Sequence, residues 1–127
     1  MERQKSKNVL VVMVLGLILF NSCEKDTFKD DVLSPSYTVK FSSDIVPIFA
    51  NNGCDATSCH GGAQPLNLKV NPYLSLMKNE DVDTITPSNS ILYQYLTPTG
   101  KMSQISKVTS YDLQLILQWI EQGAKNN

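Results

Sequence analysis

Two cysteines and the only histidine of the chain lie within seven residues, at Cys54, Cys59 and His60. Each thiol can bond to one vinyl group of a haem, and the imidazole beside the second cysteine can then reach the iron from one side. The usual attachment motif has two residues between its cysteines, whereas this chain has four. Both thiols and the imidazole still come from one short loop. The pattern therefore predicts covalent attachment of haem c, with His60 as an axial ligand of its iron.

The N-terminus has the pattern of an export signal. Three basic residues precede an apolar run of 12 residues, Val9 to Phe20, which is too short to span a bilayer comfortably and suits the h-region of a signal peptide. The run leads into Phe20-Asn-Ser-Cys23, and a small residue directly before a cysteine resembles the lipobox of bacterial lipoproteins. That resemblance implies that residues 1–22 are a lipoprotein signal peptide and that Cys23 is acylated. The alternative is an ordinary cleaved signal peptide with an unmodified Cys23.

The segment after Cys23 and the net charge bear on location and partners. Glu24-Lys-Asp26 resembles the charged tags of some Gram-negative lipoproteins displayed on the outer membrane, although a solvated tether has the same composition. We expect a lipid-anchored protein in the cell envelope of a Gram-negative bacterium, at the periplasmic or outer face of the outer membrane. Removal of residues 1–22 takes away three basic residues and one acidic residue, so the formal net charge moves from −1 to −3. Such a chain offers no electrostatic footprint for nucleic acid.

The cysteine pair has a second possible fate in an exported protein, which is a local disulfide that leaves His60 as a surface residue. Structural zinc would need four ligands, and no fourth Cys or His remains once Cys23 is acylated. The sequence contains no phosphate-binding loop and no pair of carboxylates suited to acid–base catalysis. Nucleophilic catalysis by a serine would depend on His60 alone, so an enzyme is not expected.

The elements that must position this loop are short helices. Residues 23–39 are polar and lack a helical period, which predicts a flexible tether, and residues 40–127 form a domain small enough to need a staple or cofactor. No strand pattern is recognisable, so we expect an all-α chain. Four helices are predicted: from Ser43 as N-cap to Asn51, from Pro72 to Lys78, from Ser88 or Asn89 to Leu96, and from a capping box at Thr109 to Gly123.

Apolar side chains recur at helical spacing in the first and last of these segments. The first presents Ile45, Ile48 and Phe49 on one face, and the last presents the stripe Leu113, Ile116, Leu117 and Ile120. Trp119 and Tyr95 are expected to be core aromatics.

From Phe41 to Ala124 the chain resembles a small class of c-type cytochrome domains found in exported bacterial proteins. The matching pieces, in order, are Asp44-Ile-Val-Pro-Ile-Phe49, Cys59-His-Gly-Gly62, Ser90-Ile-Leu-Tyr93, a methionine after Gly100, and Leu117-Gln-Trp-Ile-Glu-Gln-Gly-Ala124. The resemblance implies a cytochrome c-like bundle of short helices around a covalently attached haem, with the first and last helices crossing beside it.

The resemblance also implies a second axial ligand, Met102. Related domains usually carry Met-Pro there, whereas this chain has Lys101-Met-Ser103, and Met77 is the competing methionine. Pro65 and Leu68 lie where related cytochromes supply a carbonyl to the ligand histidine and an apolar contact to the ring.

The function that follows is a monohaem c-type cytochrome that carries single electrons between redox partner proteins at a membrane. With His60 and Met102 both on the iron, no open coordination site remains, which again argues against an enzyme. The alternative is a haem-free, disulfide-bonded surface interaction module. A further possibility keeps the haem but lacks Met102 ligation, which would leave an open site for a small ligand or peroxide.

Overall fold

The structure, a computed structural model, describes residues 33–127. This part of the chain contains helices and turns and no β-strand, so the all-α prediction is confirmed. The signal peptide, Cys23 and most of the predicted tether lie outside the described residues. The elements are a π-helical turn Phe41–Ile45, α1 Val46–Asn51, α2 Pro72–Lys78, a 3₁₀ turn Pro87–Asn89, α3 Ile91–Leu96 and α4 Ser110–Glu121. Between residues 33 and 127, no helix has the length and apolar character needed to cross a membrane.

The first helical segment, made of the π-helical turn and α1, begins earlier than predicted, and Ser43 does not cap it. Phe41–Ile45 forms a π-helical turn that runs directly into α1, and the Val46 N–H bonds the Phe41 carbonyl, five residues back. Pro47 follows in the first turn of α1, where its missing N–H leaves no helical hydrogen bond unmade. The capping carboxylate is Asp44, whose Oδ2 accepts from the Lys40 N–H at 2.7 Å and from the Tyr37 hydroxyl at 3.0 Å.

The core lies where the first helical segment meets α4. Ile45, Ile48 and Phe49 are all buried, as their shared face predicted. On α4 the buried positions are Leu115, Ile116, Trp119 and Ile120. Leu113 and Leu117 are only half-buried, so the buried face is rotated from the predicted stripe.

Aromatic contacts join the two ends of the domain within this core. The Phe41 and Trp119 rings have centroids 5.1 Å apart, and the Phe41 and Tyr73 rings meet edge-on at 5.3 Å. The Trp119 indole N–H donates to the Lys125 carbonyl at 2.9 Å, which satisfies its polar group. Trp119 is therefore a core aromatic, as expected.

Helix α4 has the caps that its sequence predicts. Thr109 accepts the Asp112 N–H on its side-chain oxygen at 3.1 Å, and the Asp112 carboxylate accepts the Thr109 N–H at 2.9 Å. These two bonds form a capping box. At the other end Gly123 has φ +90°, the left-handed conformation that stops a helix and favours glycine.

The middle helices are confirmed with one shift in boundary. Helix α2 covers Pro72–Lys78, as predicted. The helix expected to start at Ser88 or Asn89 instead begins at Ile91, because Pro87–Asn89 forms a 3₁₀ turn and Ser90 adopts ψ 130°. The Ser90 hydroxyl is turned back to accept the Asp83 N–H at 2.8 Å, so it fixes the preceding loop rather than capping α3.

Residues 33–39 belong to the folded unit, although they were predicted as the end of a tether. Gln118 and Gln122, one turn apart on α4, both donate through Nε2 to the Tyr37 carbonyl at 2.7 Å. The Val39 N–H donates to Gln122 Oε1 at 2.9 Å, and Val39 is only 2% exposed. The two glutamine side chains thus hold this segment along α4, so contacts with the helix extend to residues before the boundary predicted at residue 40.

Candidate functional site

A cavity of about 660 Å³ lies between α1, the loop that carries the two cysteines, α3 and the loop that precedes α4. Cofactor and ligand sites occupy roughly 300–1,000 Å³, so this volume is that of a binding site rather than a packing defect. All four residues assigned to haem from the sequence line it: Cys54, Cys59, His60 and Met102. The fold therefore brings together two thiols, an imidazole and a thioether from segments more than 40 residues apart.

The walls of the cavity are largely apolar. Phe49, Leu68, Leu92 and Leu96 are buried core side chains that also face it. At its mouth lie Ile91 and Ile105, which also line it and are 40% and 70% exposed. A flat, apolar group with one exposed edge would remove much of this surface from water, and about 25 cal/mol is gained per Å² of apolar surface buried.

The loop between α1 and His60 is folded by its own backbone. The Cys54 N–H donates to the Phe49 carbonyl at 2.8 Å, which carries the chain over from α1. The His60 N–H then donates to the Cys54 carbonyl at 3.0 Å, so the backbone of the histidine lies next to that of the first cysteine. A Cβ at Gly61 would collide with the carbonyl oxygen of Asp55, which is why glycine follows the histidine. The four-residue gap is thus accommodated by a closed turn.

The imidazole of His60 is oriented by a backbone carbonyl. His60 Nδ1 lies 3.2 Å from the Leu66 carbonyl oxygen, and the Leu68 N–H donates back to the His60 carbonyl at 2.7 Å. With the proton on Nδ1, the lone pair of Nε2 is free to bind a metal, and such a partner fixes the tautomer. The sequence placed this carbonyl near Pro65, and the structure assigns it to Leu66. The apolar neighbour expected at Leu68 is buried and lines the cavity.

The two thiols are half-buried and are not joined to each other. Burial raises the pKa of the Cys54 thiol, and the nearby Asp55 carboxylate and Cys59 raise it further. Reactive catalytic or redox cysteines have a lowered pKa and stand in electropositive surroundings. Cys54 has the opposite environment, so it fits an anchoring role better than a nucleophilic one.

The structure separates the two candidate methionines. Met102 lines the cavity, and its loop is held by the Met102 N–H to the Tyr95 carbonyl at 2.9 Å and by the Ser106 N–H to the Met102 carbonyl at 2.8 Å. Met77 is half-buried against the core and is not part of the cavity wall. Of the two, only Met102 lies where His60 and the thiols are.

Two polar features of the cavity were not predicted. Tyr95, expected in the core, lines the cavity instead, and its hydroxyl accepts from Lys101 Nζ at 2.9 Å while the ammonium lies 4.7 Å from the ring centroid. Asp81 also lines the cavity, and its buried Oδ2 has no hydrogen-bond partner among the described residues. Burial raises the pKa of the Asp81 carboxyl, and the positive field of His60 opposes that shift. Asp81 lies among polar residues in the sequence, and no sequence signal distinguishes it.

The residues present fit a covalently held haem. The cavity has the volume, its walls are apolar, and the two thiols stand on the same wall segment as an imidazole whose Nδ1 is already engaged. A soft neutral sulfur ligand is supplied by a separate loop. No model of a known protein family, no curated protein and no solved structure matches this chain.

Proposed function

We propose that this protein is a monohaem c-type cytochrome that carries single electrons and is anchored to a membrane by lipid. The observation that supports it is the convergence of Cys54, Cys59, His60 and Met102 on one apolar cavity. The spacing of the cysteines and histidine and the family resemblance point to the same four residues. A disulfide-bonded surface module has no need for a methionine and an apolar cavity at the same place.

Each residue has one role in this proposal. Cys54 and Cys59 would hold the haem through thioether bonds, and His60 Nε2 and Met102 Sδ would bind its iron. The haem supplies the Fe³⁺/Fe²⁺ couple. The Leu66 carbonyl holds the imidazole in the tautomer that leaves Nε2 free, and the aliphatic walls exclude water. With both axial positions filled by protein, we propose an electron carrier that works between redox partner proteins and has no enzymatic activity.

The same proposal places the protein in the envelope of a Gram-negative bacterium. An acylated Cys23, following a signal peptide of residues 1–22, would tie the domain to the outer membrane. The described residues contribute no membrane-crossing helix of their own.

The first test is covalent attachment. Protein made in cells with active export and haem-attachment machinery should give a haem-stained band after denaturing electrophoresis, because thioether bonds survive unfolding and iron ligation does not. Replacing both Cys54 and Cys59 with Ala should abolish the band. The matched control is Met77→Ala, which alters a side chain outside the cavity wall and should leave the band in place.

Intact mass spectrometry distinguishes the alternative. A mass increased by one haem supports the cytochrome. A mass reduced by two hydrogens, with no haem added, would show a Cys54–Cys59 disulfide and would favour the interaction module instead.

A further inference from the structure

The carboxyl group of Asp81 is fixed in the cavity wall by the backbone on either side of it. The Asp81 N–H donates to the Leu76 carbonyl at 3.1 Å, at the end of α2, and the Asp81 carbonyl accepts the Leu92 N–H at 3.0 Å, from α3. Side-chain Oδ2 is buried without a hydrogen-bond partner among the described residues. Asp81 as a whole is half-buried, and Oδ2 is its atom that neither water nor a protein donor reaches. Placing a carboxylate oxygen there disfavours its charged form, so the retention of Asp81 in a largely apolar cavity suggests a role.

The other ionisable groups around the cavity are few. Cys54, Cys59, His60 and Tyr95 line it together with Asp81, and Lys101 reaches its edge through the Tyr95 hydroxyl. On its own segment, Lys78 and Glu80 are exposed. The Asp83 carboxylate is engaged within its loop, where it accepts the Ile85 and Thr86 N–H groups and the Thr86 hydroxyl.

Haem binding would simplify this set of charges. Thioether formation would remove both thiols as titratable groups, and His60 would bind the iron as the neutral imidazole. Asp81 would then be the carboxyl group of the protein that shares the cavity with the iron. The charge that Asp81 senses would be that of the iron centre, which falls by one on reduction.

We propose that Asp81 binds a proton when the haem site gains an electron, and that it thereby makes the reduction potential depend on pH. This inference rests on the proposed function. One electron comes from a donor redox protein and converts Fe³⁺ to Fe²⁺, and one proton comes from solvent and binds the Asp81 carboxylate to form the acid. Oxidation reverses both transfers. The coupling is electrostatic, because a carboxylate in a water-poor cavity is stabilised by positive charge and is destabilised when that charge is lost.

The direction of the effect follows from linkage. The Asp81 carboxyl has a lower pKa in the oxidised protein and a higher pKa in the reduced protein. Between the two values, reduction takes up a proton, so the reduction potential falls as the pH rises. The limiting slope is a tenfold change in the reduction equilibrium per pH unit, which is about 59 mV for a one-electron couple.

The experiment is a midpoint titration of the haem-loaded protein across the acidic and neutral range. Wild type should show a falling potential, and Asp81→Asn should show a flatter profile that lies at the high-potential limit of the wild type. The control is Asp83→Asn, which removes a carboxylate two residues away outside the cavity and should keep the wild-type profile. The carboxyl groups of the haem contribute equally to all three proteins, so the difference between profiles reports Asp81.

A second readout detects the protonated carboxyl group directly. Redox-difference infrared spectra of wild type should show a carboxylic acid C=O band that grows on reduction, and Asp81→Asn should lack it. The proposal is overturned if wild type has no pH-dependent potential, if Asp81→Asn and wild type have the same slope, or if the acid band is absent. Failure of the proposed function itself is a separate result, because it appears as the absence of haem on the denaturing gel.

Discussion

At the scale of single residues, Met102 and Met77 are the pair whose roles the cavity distinguishes. Met102 lines the same cavity as His60 and the thiols, and Met77 packs against the core. A neutral thioether on iron favours the ferrous state. We therefore expect Met102→Ala to lower the reduction potential, to abolish the near-infrared sulfur-to-iron band of the oxidised protein and to let added imidazole bind. Absorption spectra and a midpoint titration measure all three effects.

Met77→Ala is the matched control for this prediction. It should leave the band, the potential and the imidazole response unchanged, and should lower the free energy of unfolding by up to about 2 kcal/mol, the low end for a methionine that is only half-buried. If the band survives in Met102→Ala and disappears in Met77→Ala, the ligand has been assigned to the wrong residue. A wild type that lacks the band and binds imidazole freely has an open site, which favours ligand binding or peroxidase-like chemistry.

Spacing alone predicted the site residues that are close together in the chain, whereas Met102 was predicted only from the family resemblance. Cys54, Cys59 and His60 come from a single loop, and all three line the cavity. The carbonyl partner of His60 was placed one residue too early, since its identity depends on the path of the loop rather than on composition. Asp81 could not be predicted, because its burial results from how the end of α2 and the start of α3 hold its backbone.

At the scale of elements, the sequence predicted a helix boundary correctly where the capping hydrogen bonds join residues a few positions apart. Thr109 and Asp112 hydrogen-bond each other across one turn, and the capping box is present as predicted. Serine is a good N-cap residue, but Ser43 does not act as one. The helical segment starts earlier, at Phe41, and the Lys40 N–H donates to the Asp44 carboxylate. Residues 33–39 were missed because their order comes from Gln118 and Gln122, about 80 residues away.

This contrast gives a prediction for stability. Thr109→Ala removes the acceptor of the Asp112 N–H and should lower the free energy of unfolding by about 1 kcal/mol, within the range of about 0.5–2 kcal/mol for lost N-caps. Denaturant unfolding of the haem-loaded protein measures it. Ser43→Ala is the control, because Ser43 bonds only the neighbouring Asp44 side chain and caps nothing, so its effect should stay within a few tenths of a kcal/mol. Equal losses in the two variants would contradict the assigned helix starts.

At the scale of the whole molecule, the ordered segment 33–39 shortens the link between the domain and the proposed lipid anchor. Ten chain steps separate Cys23 from Leu33, instead of the 17 implied by a tether that runs to residue 40. An extended chain spans at most about 3.6 Å per residue, so Leu33 lies within roughly 36 Å of Cys23, the proposed lipid attachment point. The proposed anchor would therefore limit the proposed electron exchange to partners in or close to the same membrane.

The anchor itself is tested by Cys23→Ser. Acylation adds about 0.8 kcal/mol of membrane affinity per buried CH₂, so several acyl chains together hold a protein firmly in the membrane. A serine at this position would carry no acyl chain. We expect the processed Cys23→Ser protein to move from the membrane fraction to the soluble fraction and to keep its haem stain, because Cys54 and Cys59 are unchanged. The control is Cys59→Ser, which should weaken or remove covalent haem and leave the protein in the membrane fraction. A processed Cys23→Ser protein that remains as firmly membrane-bound as wild type would show that something other than this cysteine attaches the domain.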